Sequence, residues 1–234
     1  VIEAISIQHS AVSESTHEKL RAYLEEVLRA NREFNLTAVR DFDAAWNKHI
    51  LDSLQGLRAA QGGSTPVVDN ARSAIDVGTG AGFPGVVLAI ARPALQVTLL
   101  EATRKKCNFL EAAAPSNVGV LCERAEVAGH DAKLRESFDI AVARAVGSFS
   151  EVCELCLPFV KIGGHVLLWR GQNAPQEITE SKRALQTLGG AAGVLLPYQL
   201  PGHEMQYHLV LIEKRRSTPK QFPRRDGLPK QKPL

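Results

Sequence analysis

The twelve residues 74–85, AIDVGTGAGFPG, limit what this chain can fold into more than any other stretch. An apolar run passes through Asp76. Gly78, Gly80 and Gly82 then fall at alternate positions, ahead of a proline and the helical pattern PGVVLAIARP. Glycine reaches positive φ without steric cost and lets a ligand approach the backbone closely. A strand, a glycine turn and a helix in this order therefore form a binding corner at the carboxyl end of a strand in an open α/β sheet. Pro84 suits the first helical position.

The rest of the chain supplies the sheet. SAIDVG, QVTLLE, VGVLCE, FDIAVARAV, GHVLLWRG and YHLVLIEK are short apolar runs separated by segments long enough for crossover helices. They predict an α/β, doubly wound, Rossmann-like sheet of buried parallel strands. Before it lies a helical region. In ESTHEKLRAYLEEVLRA, Ser15 and Glu18 have capping-box spacing, and Leu20, Tyr23, Leu24, Val27 and Leu28 form one stripe. A second helix is expected from Asp41, with Trp46, Ile50, Leu54 and Leu57 on one side, until QGGSTP breaks it. The boundaries read as a helical region over 1–70, a ligand-binding α/β domain over 71–214 and a tail over 215–234.

Charge is concentrated in that tail. Residues 214–234 hold eight Lys/Arg and one Asp, against twenty Lys/Arg and twenty-four Asp/Glu elsewhere. Four prolines there favour an extended chain with exposed side chains, and a polyanion is the expected partner. No run of eighteen apolar residues is present, and VIEAISIQHSAVSES has no secretory pattern, so a cytoplasmic protein without a membrane span is expected. Four cysteines are too few for a disulfide scaffold. Cys153 and Cys156 have metal spacing but lack a second ligand pair, so they read as core and no metal is expected. His49, three residues after Trp46, reads as a hydrogen-bonded packing histidine.

The turn also carries information about its ligand. A dinucleotide fingerprint requires G-x-G-x-x-G, and here the third glycine comes one residue early, which disfavours NAD. A ligand without a pyrophosphate needs no anion seat at a helix N-terminus. S-adenosyl-L-methionine, with a sulfonium and an ammonium, suits the carboxylates instead. Asp76 and the turn residues Gly78, Thr79, Gly80, Gly82 and Phe83 are the first candidates. Glu101 ends the second strand twenty-five residues after Asp76, where its carboxylate can accept both ribose hydroxyls. Ala125 and Glu126 follow the third strand and can flank an adenine.

NLTAVRD with KHILDSL (35–54), DVGTGAGFPG (76–85), LLEATRKKCNFL (99–110), ARAV (143–146) and PKQFPRRDGLPKQKPL (219–234) together resemble the RsmG (GidB) ribosomal RNA methyltransferases over nearly the whole chain. The resemblance implies a class I methyltransferase fold, S-adenosyl-L-methionine as cofactor, and methylation of guanine N7 in a conserved loop of 16S rRNA near the decoding site. It places cofactor contacts on Gly78, Phe83, Glu101, Ala102, Thr103, Ala125, Glu126 and Arg144. Arg170 in WRGQ departs from the lysine usual there. No Asn/Asp-Pro-Pro-aromatic motif follows the fourth strand, which argues against an amino-group target. An N7 target needs no general base, and Arg144 is expected to position cofactor or guanine. Arg40 and Lys105, with Lys220, Arg224, Arg225, Lys230 and Lys232 of the tail, are the RNA-binding candidates on a chain expected to be monomeric. A non-catalytic ribosome-assembly module and a small-molecule methyltransferase remain as alternatives.

Overall fold

A computed structural model describes residues 12–60, 66–144 and 147–234. Seven strands form one sheet in the order β3-β2-β1-β4-β5-β7-β6. They are β1 (Ser73–Val77), β2 (Gln96–Leu100), β3 (Val118–Leu121), β4 (Phe138–Arg144), β5 (Val160–Arg170), β6 (Val194–Gln199) and β7 (Gln206–Glu213). β1 to β5 pair in parallel, while β7 runs antiparallel to both β5 and β6. The expectation of parallel strands throughout is thus corrected at this edge. Only Leu200–Met205 separates β6 from β7, too little for a parallel crossover.

Successive strand residues point to opposite faces, and the core divides accordingly. Ala74, Leu99, Ile140, Val142, Leu167 and Leu211 pack with Leu20, Leu24, Ile50, Val86 and Leu110 of one helical layer. Ile75, Leu100, Ala141, Val166 and Ile212 pack with Phe149, Cys153, Cys156 and Leu185 of the other. The N-terminal helices therefore share one core with the sheet.

The helix Glu14–Ala30 is capped by Ser13, whose side chain accepts from Thr16 N, so the expected Ser15 cap is displaced by two residues. Its stripe buries Leu20, Tyr23, Leu24, Val27 and Ala30, with Leu28 only partly covered. Asp41 caps the second helix as expected. That helix is α-helical over Phe42–Ala45, widens to a π-helix over Trp46–Leu51, and continues through Asp52–Leu54 into a 3-10 turn at Gln55–Arg58. A π segment rotates the residues after it, and it commonly marks a functional site. Here it turns His49 toward the glycine turn and Asp52 toward the end of β4. The QGGSTP break and the N-terminal stretch fall mostly on residues 61–65 and 1–11, outside the described set.

The tail departs from expectation. Thr218, Phe222 and Pro229 are buried, and a short helix forms at Leu228–Gln231 with Pro229 in its first turn. Residues 215–234 are docked against the second layer rather than extended. Among the described residues no helix is long and apolar enough to cross a membrane, and no cluster of three His, Cys, Asp or Glu side chains could hold a metal ion.

Candidate functional site

The glycine turn takes shape because Asp76 folds it from beneath. Its Oδ2 accepts from Thr79 Oγ1 at 2.6 Å and from Gly85 N at 2.8 Å, while Gly78, Gly80 and Gly82 all have positive φ. Asp76 is fully buried and Thr79 nearly so, so these two side chains hold the loop rather than line an open surface. Burial pushes the Asp76 carboxyl up to about 6, against the pull of its bonds to Thr79 and Gly85 and of Arg144. Gly82 is required sterically, since a Cβ there would lie 2.1 Å from the Tyr23 hydroxyl. That hydroxyl donates to Ala81 O at 2.8 Å and ties the first helix to the turn.

Above the turn there is space. A Cβ built on Gly80 would meet no atom within 4 Å. Beside it, Glu101 accepts from Gly80 N at 3.1 Å through one oxygen and from Thr103 N at 2.8 Å through the other. A carboxylate offers about four acceptor positions, so two remain for ligand hydroxyls. Ala102 and Thr103 are exposed next to it, and Ala125 and Glu126 start the turn of helix after β3. The sequence-derived cofactor residues are thus gathered at the carboxyl ends of β1, β2 and β3. In this cradle an open glycine beside a carboxylate with acceptor positions to spare offers ribose hydroxyls both room and partners.

Arg144 ends β4 on the other side of the turn. Its Nη1 donates to Asp52 Oδ2 and to Lys48 O, each at 3.0 Å, and its Nη2 donates to His49 Nδ1 at 3.1 Å. Its guanidinium carbon lies 5.4 Å from the centre of the Phe83 ring, against which His49 stacks at 4.8 Å and 9°. Because Nδ1 accepts, the His49 proton sits on Nε2 and is donated to Thr37 Oγ1 at 2.7 Å. Burial, then the charges of Arg144 and Lys48, hold His49 down to about 3, so the ring is neutral. Asp52 also accepts from the Tyr198 hydroxyl, and its carbonyl accepts from Trp169 Nε1 at 2.7 Å. The packing role expected for His49 is borne out, with a position in the site added. Asp52, Trp169 and Tyr198 were not singled out from sequence. The KHILDSL block carried a signal for Asp52, while nothing local marked the other two.

A cleft of about 440 Å³ opens beyond the ends of β4 and β5, between Arg144, Asp52, Asn173, Glu177 and Tyr207. Arg144 thus stands between the cradle and the cleft, with two of its five N–H groups unspent among the described residues. Arg170 grips Glu177 with Nε at 2.9 Å and Nη2 at 2.6 Å, an arrangement lysine could not copy.

The basic candidates are not brought together. Arg40 is exposed on the loop before the second helix, and Lys105 lies over the Phe34 ring at 4.6 Å, both on the first layer's side. Lys220, Arg225, Lys230 and Lys232 are exposed on the docked tail. Arg224 is not an exposed cation: its backbone N donates to Glu154 at 2.7 Å and its Nη2 at 2.6 Å, and Glu154 is wholly buried. A buried carboxylate demands such a partner, which explains why the arginine turns inward. Cys107, Cys153 and Cys156 are buried thiols, as expected.

Residues 16–197 match the family model GidB, described as rRNA small subunit methyltransferase G. The chain is 40% identical over its whole length to the ribosomal RNA small subunit methyltransferase G of Chloroflexus aggregans, covering 97% of that protein. It is 39% identical to the protein of the same name from Clostridium beijerinckii, covering 95% of this chain and 92% of that one. Among solved structures, a putative O-methyltransferase from Klebsiella pneumoniae superposes with a TM-score of 0.54 at 14% identity, over 83% of this chain and 90% of that one. The fibrillarin pre-rRNA processing protein of Methanococcus jannaschii does so with a TM-score of 0.54 at 14% identity, over 73% and 77%. The two structural likenesses establish a Rossmann-like methyltransferase fold, and the sequence matches establish that the chain belongs to the rRNA small subunit methyltransferase G family.

Proposed function

We propose that this chain transfers a methyl group from S-adenosyl-L-methionine to N7 of a guanine in the 16S rRNA of the small ribosomal subunit. The observation that carries the reading is the open cradle of Gly80 and Glu101 at the carboxyl ends of β1 and β2, in a chain whose relatives are named for rRNA methylation. The bound cofactor supplies an electrophilic methyl on a sulfonium. Glu101 takes the ribose hydroxyls through its two remaining acceptor positions, with Ala125 and Glu126 at the adenine. The stacked Phe83 and His49 rings form a wall that keeps water from the reacting atoms.

Guanine N7 already presents an in-plane lone pair, so attack requires alignment and no proton removal. Arg144 can donate to O6 but not to N7, because donation would occupy the attacking lone pair. Accepting a methyl at N7 would leave the purine positively charged. A lone guanidinium beside the purine would oppose that, whereas Arg144 paired with Asp52 donates a hydrogen bond without adding net charge. Neutral His49 adds none either. The A-form major groove hides N7, so the target base is unpaired or displaced into the cleft beside Arg144. Arg40, Lys105, Lys220, Arg225, Lys230 and Lys232 then serve as phosphate contacts.

Calorimetry with S-adenosyl-L-methionine and with NAD, followed by transfer of labelled methyl to small subunits lacking the modification and to their stripped rRNA, tests the reading. Cofactor binding and label in RNA are expected. Binding of NAD in its place, or label entering only small molecules, would refute it.

A further inference from the structure

The C-terminal residues carry the chain's densest positive charge, yet their inward-facing groups grip one segment of the fold. Arg135 Nη1 donates to Phe222 O at 2.8 Å, and Nη2 donates to Thr218 O at 2.7 Å and Pro219 O at 3.1 Å. His130 Nε2 donates to Pro223 O at 2.7 Å. Gly129 lies so close to Pro223 that a Cβ would stand 2.6 Å from its ring. Arg124 pairs with Asp226 at 3.1 Å, and Gly227, at φ 72°, donates its N–H to Glu126 Oε1 at 3.1 Å. The Arg224–Glu154 pair and buried Phe222 anchor the strap from below.

The gripped segment, 124–135, contains Ala125 and Glu126, the residues assigned to the adenine. It follows β3, whose Leu121 O accepts from Glu101 N at 3.1 Å, so the Gly227–Glu126 bond and the Glu101 cradle are joined through the backbone of residues 122–125. We infer that residues 222–231 are part of the cofactor site: the strap orients Glu126 through the Gly227 N–H and thereby sets the affinity for the adenosine end. This rests on the cofactor placement proposed above. One Glu126 oxygen is held by Gly227, which leaves the other for an adenine amino group. Affinity and tail are then linked in both directions, so RNA that shifts the strap through its exposed lysines changes cofactor affinity by the same factor.

The test is S-adenosylhomocysteine binding by calorimetry, without RNA, to the intact chain, to a chain ending at Asp226, and to the double variant K182Q/R183Q, which removes two exposed cations outside the strap. Ending at Asp226 keeps Phe222 and Arg224 but removes the Gly227 N–H. Loss of one hydrogen bond to a carboxylate corresponds to about tenfold weaker binding. The double variant, which keeps the strap and loses charge, is expected to bind like the parent. Parent-like affinity in the shortened chain, or equal weakening in the charge variant, would overturn the inference. Should the shortened chain melt at room temperature, hydrogen exchange of the intact protein decides. S-adenosylhomocysteine is expected to slow amides in 222–231 together with those of the glycine turn, and protection confined to the turn would overturn the strap's role. Absence of any binding to the intact chain would instead refute the cofactor reading itself.

Discussion

Replacing Asp52 by Asn probes the site at the point where the helical region meets the sheet. The Asp52 and Arg144 side chains are 11% and 13% exposed and pair at 3.0 Å. Exposed pairs contribute about 0–1 kcal/mol, and breaking a fully buried one costs about 3–5 kcal/mol. At this exposure the pair lies nearer the buried limit. Asn keeps an acceptor for the Tyr198 hydroxyl, but it removes the charge and turns an NH2 donor toward the Arg144 N–H, so a loss of about 2–3 kcal/mol is expected. For a domain of this size that lowers Tm by roughly 5–10 °C. The assay is guanidinium denaturation of the parent, D52N, R144M and the double variant, with methyl transfer measured on each. The double-mutant cycle should show coupling above about 1 kcal/mol, and kcat should fall in D52N more than cofactor affinity does. Additive effects, or a D52N protein within 0.5 kcal/mol of the parent, would refute the role given to the pair.

Other consequences can be checked on the same preparations. Gly82→Ala drives a Cβ into the Tyr23 hydroxyl at positive φ, and should cost more than Gly80→Ala, where space is open and only φ is strained; comparable midpoints would contradict this. His49, near 6.5 when unfolded and about 3 when folded, contributes stability that is present above pH 6.5 and lost as pH falls toward 3. Discounted for partial exposure, that is at most about 2 kcal/mol between pH 7 and 5. Asp76 acts in the opposite sense, because its folded value is raised: its stabilising proton is lost as pH rises through about 6. H49N should therefore become less acid-sensitive than the parent in pH-dependent melts. Arg224→Ala should destabilise by about 3–5 kcal/mol, by leaving Glu154 buried and unpaired. It should leave the salt dependence of RNA binding unchanged, which for ~5 phosphate contacts is a fall of ~100-fold between 50 and 200 mM.

The strands through β5 were readable because each is an apolar run bounded by turn residues, and glycine spacing located the binding corner. β6 was missed because Pro197 interrupts VLLPYQ, and proline argues against a central strand. The strand lies at the sheet edge, where a missing N–H is tolerated. Without β6, nothing in the sequence revealed that β7 returns antiparallel. The site was half legible. Glu101 and the turn are local in sequence, whereas the partners of Arg144 lie 92 and 95 residues away on another element. The tail was misread for a similar reason. Proline and charge describe an exposed strap correctly until a buried Glu154 and the Arg135 fork, both far upstream, are placed beneath it.

The central claim is most directly tested by mapping the product. Small subunits lacking the modification would be treated with the protein and S-adenosyl-L-methionine, and their 16S rRNA reduced and cleaved at N7-methylated guanines. Cleavage at one loop guanine, dependent on both protein and cofactor and lost in R144M, is the result expected here. Methyl incorporation without cleavage at any guanine would place the methyl on another atom and contradict the N7 mechanism.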